Sequence, residues 1–197
     1  MNVVHRSRPA EGWRPYIYCD MYNEEAKKAF RGQDCKGLAI DEANVILVLG
    51  GDGTMIRAIT ELHKHGLPFY GINYGHVGFL LNDKGIIPAH ISVYSLPLLT
   101  CECDNSDTDA WYKATAVNDI WVERASPQSA SLEVSVDGKV CIPKMYSDGL
   151  LVSTPQGSTA YARAMGGIPV PLTTQAIQLV GNNVGFPAWK SALLGLR

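Results

Sequence analysis

The sequence predicts an α/β N-terminal domain built on a parallel sheet, followed by a mostly antiparallel β domain. Three observations predict it. Val45 to Leu49 is an apolar, β-branched-rich run that stops at two glycines, the pattern of a strand buried on both faces. Met55 to His65 reads as a helix and Leu67 to Ile72 as a second strand, which completes a βαβ unit with a right-handed crossover. From about residue 92 the pattern changes to short alternating runs separated by turn residues.

The domain change is expected near residues 83–92, giving a first domain over 1–88 and a β-rich second domain over 89–197. Residues 1–43 offer only a short first unit, with Tyr16 to Cys19 as a strand and Asn23 to Phe30 as a helix capped by Asn23. In the βαβ unit, Gly66 suits the end of the helix. Next, Asn73-Tyr74-Gly75-His76-Val77-Gly78 forms a second glycine loop, after which Phe79, Leu80 and Leu81 return to a core. His76, in this loop, is read as a polar surface group before a general base. In the second half the expected strands are Ser95–Cys103, Trp111–Glu123, Ser131–Val136 and Lys139–Pro143. Asp137-Gly138 marks a hairpin turn, and Asp104 to Asp109 is further turn chemistry.

Composition narrows the function classes. A chain of 197 residues with 46% hydrophobic and 18% charged residues is globular, with enough material for a real core. A net charge of −2 supplies no electrostatic reason to bind nucleic acid or a membrane. No apolar run approaches the ~20 residues of a membrane span, and Met1 to Pro9 lacks the apolar core of a signal peptide. A cytoplasmic protein is therefore expected. Its five cysteines are an odd number without metal-type spacing, so reduced thiols are expected and no protein-held metal.

The candidate site begins where the first buried strand ends. Gly50, Gly51 and Gly53 let the backbone turn tightly and present N–H groups to an anion. Thr54 is placed to cap the next helix, and a glycine turn at a helix N-terminus suits phosphate. Asp52 is the acid of that turn. Ligands of such units bind beyond the C-terminal ends of the strands, where Asp52 and Asn73 both fall. In the second half, Asn118 and Asp119 lie within an apolar strand, where an amide and a carboxylate are costly unless partnered. An Asn can pair with a base edge and an Asp can accept ribose hydroxyl protons. The alternative is a polar pair satisfied by the backbone. Further on, Asp148 to Tyr161 reads as a strand (Leu150 to Ser153), a turn (Thr154 to Gly157) and a helix (Ser158 to Met165). Ser158 and Thr159 would stand at the helix N-terminus, suited to an anion or sugar.

These segments together resemble the NAD kinase family. The resemblance rests on Gly50-Gly51-Asp52-Gly53-Thr54, Asn73 to Leu80, Asn118-Asp119, and Asp148-Gly149 through Thr154-Pro155-Gln156-Gly157-Ser158-Thr159-Ala160-Tyr161, with Gly166-Gly167 after it. The glycine-acid motif alone is shared with lipid kinases and phosphofructokinases; the later cluster behind the Asn-Asp pair is the specific part. The family implies an α/β nucleotide-binding domain followed by the β domain. It also implies transfer of the γ-phosphoryl of ATP, or of polyphosphate, to the 2′-hydroxyl of the adenosine ribose of NAD, with Mg²⁺ arriving on the phosphates. Carried over by position, Asp52 is the proton acceptor and Gly50, Gly51 and Thr54 line the phosphates. Gly53, Asn118, Asp119, Gln156, Thr159, Ala160 and Tyr161 line the dinucleotide. Asp148 reaches its nicotinamide end, often across a subunit boundary, which implies a homo-oligomer. Asn183 falls near a further dinucleotide contact.

The chain departs from the family in three places. The usual first strand and ATP-side glycine loop are not evident. Tyr146 stands where many members carry a basic residue. The β domain stops at Arg197, where relatives continue, so open strand edges are expected. Two other readings stay open: a catalytically weak NAD(P)-binding regulatory protein of the same fold, and a lipid or sugar kinase sharing the glycine-acid turn.

Overall fold

The computed structural model describes residues 6–9, 12–32, 38–85, 87–88, 90–105, 108 and 110–196. They divide into two compact units, one up to Tyr94 and one from Ser95 onward.

The first unit is built on β2 (Pro15–Cys19), β3 (Val45–Gly50) and β4 (Phe69–Asn73), all parallel, with β3 in the centre. A separate antiparallel pair joins β1 (Arg6–Pro9) to β5 (His90–Val93). This pairing ties residues beyond 88 to the first unit and carries the division to Tyr94. Every residue of β3 is buried, as an uninterrupted apolar run requires. Its side chains alternate between two cores. Leu47 and Leu49 pack with Ala26 of α1 (Glu24–Gly32), while Ile46 and Val48 pack with Met55 and Ala58 of α2 (Asp52–Leu62).

The short strand expected at Tyr16 to Cys19 is present as β2, running beside β3, and supplies the first strand that the family pattern did not make evident. Its apolar signal is diluted by two tyrosines that lie only half buried. Asn23 caps α1 as expected: its Oδ1 accepts the Ala26 N–H at 3.0 Å. Helix α2 starts earlier than the sequence suggests, at Asp52. Gly51 is its N-cap residue, and no side chain caps it. Thr54 is thus inside the first turn, buried, with its hydroxyl donating to Asp20 Oδ2 at 3.3 Å. The helix ends in a short 3₁₀ turn (His63–His65) and a left-handed Gly66 at φ 68°. Of the three residues expected to return to the core, Leu80 and Leu81 do, but Phe79 is 41% exposed.

The second unit is antiparallel. β6 (Leu99–Asn105) pairs with β7 (Ala110–Ala116). β8 (Asp119–Glu123), β11 (Gly149–Ser153), β12 (Ala176–Asn182) and β13 (Ser191–Gly195) form a four-stranded sheet in the order β13-β12-β11-β8. β9 (Ala130–Val136) and β10 (Lys139–Ser147) form a hairpin whose turn residues, Asp137 and Gly138, both have positive φ. One face of the four-stranded sheet (Leu150, Val152, Leu179, Leu194) packs on Val134 and Met145 of that hairpin. The other face (Leu151, Val180) packs on Ala162 of α3 (Tyr161–Ala164).

Two sequence expectations change here. The run Trp111–Glu123 is two strands, broken at Val117 and Asn118, so Asn118 lies in the bend and Asp119 opens β8. The expected helix Ser158–Met165 is only the four residues of α3. Ser158 is fully buried in the turn before it, donating to Pro155 O at 2.7 Å and accepting the Val170 N–H at 2.8 Å. That side chain ties the turn to the segment after α3 and is not free at a helix N-terminus. Of the expected Asp104–Asp109 turn, Asp104 and Asn105 belong to β6, opposite Trp111 and Ala110, while Ser106, Asp107, Asp109 and also Cys35 lie outside the described residues; Cys19, Cys101, Cys103 and Cys141 are free thiols.

Candidate functional site

In the first unit the C-terminal ends of β2, β3 and β4 carry three loops on one edge of the parallel sheet. Gly50 is held against Thr54, whose side chain a Cβ at position 50 would meet at 2.5 Å. Gly75 faces the Gly51 Cα, which a Cβ at position 75 would meet at 3.0 Å. The two glycine turns are therefore in contact, and Tyr74 N–H donates to Gly50 O at 2.7 Å. Gly78, at φ 72°, lies against the Asn73 side chain, whose Oδ1 accepts the Gly75 N–H at 2.8 Å. This compact second loop then delivers its backbone to the acid of the first. Asp52 Oδ2 accepts the Phe79 N–H at 2.9 Å and Oδ1 accepts the Leu80 N–H at 2.8 Å. Each carboxylate oxygen keeps lone pairs for another donor. Gly53 has nothing within 4 Å of where a Cβ would stand and is exposed. His76 is exposed in the loop.

In the second unit the bend at Val117–Asn118 is gripped by the segment after β11. Thr154 donates its N–H to Asn118 O at 2.9 Å, and its hydroxyl reaches Val117 O at 2.8 Å. A Cβ at Gly157 would meet Asn118 O at 2.2 Å, so only glycine allows this approach. Gln156, expected to line a ligand, is buried beside the bend. Its Nε2 donates to Pro97 O at 2.5 Å and Val117 O at 2.9 Å, and its role in the fold is to hold the bend. Two acceptors at the bend, Asn118 Oδ1 and Gln156 Oε1, are buried without a partner. Asp119, half buried, has its carboxyl pushed above the usual range by desolvation. Thr159 is half buried, and Ala160 and Tyr161 are exposed just beyond. Tyr161 meets the Trp121 ring edge-on at 5.6 Å, an aromatic pair on the same face of the sheet as Asp119.

Asp148 stands apart from this bend. It precedes β11 and Thr154 follows it, so the length of the strand, about 15–20 Å, separates them. Asn183 donates to Asp148 Oδ2 at 3.0 Å, and Arg124 Nε meets Oδ1 at 2.6 Å. These partners, the amide first and the guanidinium second, hold the carboxyl below its usual range. Asp148 thus ties the ends of β8, β11 and β12 together.

The family models decide the kinship. The ATP-NAD kinase N-terminal domain matches residues 15–84, and the ATP-NAD kinase C-terminal domain matches residues 117–187. NAD kinases of Rickettsia typhi and Rickettsia bellii are 34% and 32% identical over 87% and 88% of this chain, and over 67% and 72% of their own lengths. This chain belongs to the NAD kinase family. It is also 34% identical to the NAD kinase of Brucella melitensis over 80% of its length, but spans only 63% of that relative. Among solved structures, yeast NADH kinase complexed with NADH matches at a TM-score of 0.66 and 23% identity, over 79% of this chain and 49% of that one. An Archaeoglobus fulgidus NAD kinase in complex with ATP matches at 0.60 and 21%, over 92% and 76%. These two likenesses establish the NAD kinase fold: a parallel sheet first, antiparallel sheets after.

Four participants are invisible to the family pattern. Asp20, at the end of β2, holds Thr54 and the Tyr22 N–H. Its place at a parallel strand's C-terminal end is the signal that would have found it. Asn23 is legible as a cap but not as a tie to the next loop. Trp121 and Arg124 carry no motif signal, since their partners are far away in sequence.

Proposed function

We propose that the protein is an NAD kinase, transferring the terminal phosphoryl group of ATP to the 2′-hydroxyl of the adenosine ribose of NAD to give NADP. The observation that carries this reading is the bend at Asn118 and Asp119. A buried amide oxygen without a partner, next to a desolvated carboxylate, is a pair of acceptors in want of donors. Adenosine supplies them: an exocyclic amine and ribose hydroxyls. Thr159, Ala160 and Tyr161 complete that adenosine site, and Gln156 shapes it from behind. Asp148 binds toward the nicotinamide end.

Asp52 does the chemistry in this reading. Its two backbone hydrogen bonds fix the carboxylate's orientation, and its free lone pairs accept the 2′-hydroxyl. The bond from the 2′-oxygen to phosphorus forms as the bond to the leaving ADP breaks, and the hydroxyl proton passes to Asp52. Because the transition state is loose, alignment of hydroxyl and phosphate matters more than proton removal. Gly50 and Gly51, with Thr54 behind them, form the phosphate-side turn, and Gly53 lies against the dinucleotide. ATP is the donor, with polyphosphate as the alternative to test, and Mg²⁺ is supplied bound to the donor's phosphates. The outer strands β8 and β13 and the exposed Trp111 and Tyr112 support a homo-oligomer as the working form, and the cytoplasm is its proposed location. Among the described residues no helix is long and apolar enough to cross a membrane.

The test is to incubate the purified chain with NAD, ATP and Mg²⁺ and read NADP with an NADP-specific dehydrogenase, repeating with polyphosphate. NADP formation is expected. Tight NAD binding without product would favour the regulatory reading, and absence of both would favour another hydroxyl as acceptor.

A further inference from the structure

The amides that hold Asp52 come from a loop with no regular secondary structure, Tyr74 to Leu81. What fixes that loop is therefore part of the site. Asn23 is placed to do it. Its Nδ2 donates to Tyr74 O at 2.9 Å across 51 positions of sequence, while its Oδ1 accepts the Ala26 N–H and caps α1. Its own N–H donates to Asp20 O at 3.2 Å, and Asp20 in turn accepts the Thr54 hydroxyl. One side chain thus joins the start of α1 to the loop, at the residue whose N–H is already bonded to Gly50 O. Two outer contacts follow the same path: Lys84 pairs with Glu25 of α1 and sits over the Tyr74 ring at 4.7 Å. Both Glu25 and Lys84 are exposed, so this pair adds little. The part-buried amide bond of Asn23 is the stronger tie.

We infer that Asn23 is a positioning residue for Asp52. It holds Tyr74, and through the loop sets where the Phe79 and Leu80 N–H groups meet the catalytic carboxylate. This rests on the reading of Asp52 as the group that meets the 2′-hydroxyl. A cap alone needs only an acceptor, so Ser or Asp would serve at position 23. The tie to Tyr74 O needs a donor aimed at a carbonyl while the cap acceptor is kept, which Asn supplies and Asp does not.

The test uses Asn23→Asp, which keeps the cap and loses the donor, beside Asn23→Ala, which loses both. A Glu24→Gln control alters the neighbouring exposed residue. Amide exchange at Phe79 and Leu80 is expected to rise roughly tenfold in Asn23→Asp, with α1 amides unchanged. The kcat for NADP formation is expected to fall about tenfold or more, since misplacement of this order costs up to 10²-fold, with KM for NAD nearly unchanged. Unchanged exchange at Phe79 and Leu80 in Asn23→Asp would overturn the inference whether or not the chain makes NADP. Raised exchange with wild-type kcat would overturn the link to catalysis. Failure of the wild-type chain to make NADP at all would instead strike the functional reading and leave the exchange result standing.

Discussion

The Asp52 carboxylate accepts the backbone N–H of Leu80 at 2.8 Å, and its other oxygen accepts that of Phe79 at 2.9 Å. The acid of the first glycine turn is thereby oriented by the second. Replacing it with Asn presents an NH₂ group to one of two N–H donors. Asp52→Asn should therefore lose stability by about 1–3 kcal/mol, the cost of a donor left unsatisfied, as well as abolish turnover. Denaturant unfolding and NADP formation measure the two effects. NAD affinity should survive, because the proposed adenosine contacts are at Asn118 and Asp119. Near-normal turnover in the variant would remove Asp52 from the chemistry.

Asp119 is expected to trade stability for binding. Burial raises its carboxyl in the folded state. The folded protein therefore holds the proton more tightly than the unfolded chain, and stability falls as pH rises from the ordinary carboxylate value through the raised one. Asp119→Asn removes that cost, so its unfolding midpoint at neutral pH should equal or exceed the wild type and lose this pH dependence. NAD affinity should drop about tenfold or more, as for the loss of a hydrogen bond to a charged group. Calorimetric titration with NAD checks the second part; unchanged affinity would detach Asp119 from the ligand.

Asp148 carries the opposite sign. Asn183, then Arg124, lower its carboxyl below the usual range. Its stabilisation is present above the unfolded value and is lost as pH falls through the lowered folded one. Asn183→Ala should move the Asp148 carboxyl titration, followed by NMR, back toward the ordinary range. A titration that does not move would mean the amide contact is not made in solution.

The sequence carried the fold because its strongest signals were local. An uninterrupted apolar β3, glycines at strand ends and the Asp137-Gly138 turn each specify backbone without reference to distant residues. Half-buried β2 was weaker, since Tyr16 and Tyr18 blur its pattern. Helix starts were misplaced by turn chemistry: Thr54 and Ser158 look like caps, yet one bonds Asp20 and the other bonds Val170 and Pro155. Those partners lie across loops that no short motif reads. The same holds for Gln156, whose amide nitrogen is spent on Pro97 and Val117 while its Oε1 is buried without a partner. Motif spacing located the candidate site; which motif residues face a ligand and which hold the backbone depends on tertiary contacts.

Two glycines separate those roles. A Cβ at Gly157 would strike Asn118 O at 2.2 Å and Asn118 C at 2.5 Å, both backbone, so the bend has to shift. Gly157→Ala should cost about 1–3 kcal/mol as an overpacked site and weaken NAD binding by displacing Asn118. Gly53 is the converse. It lies inside α2, and a methyl group added there would have nothing within 4 Å, so no protein contact requires glycine. Gly53→Ala should stabilise the helix by about 0.5–1 kcal/mol. If glycine is kept there for the dinucleotide's approach, the more stable variant will show a higher KM for NAD at similar kcat. A Gly53→Ala protein that is stabilised and kinetically unchanged would return Gly53 to the surface of the helix and leave the dinucleotide to the Asn118 bend.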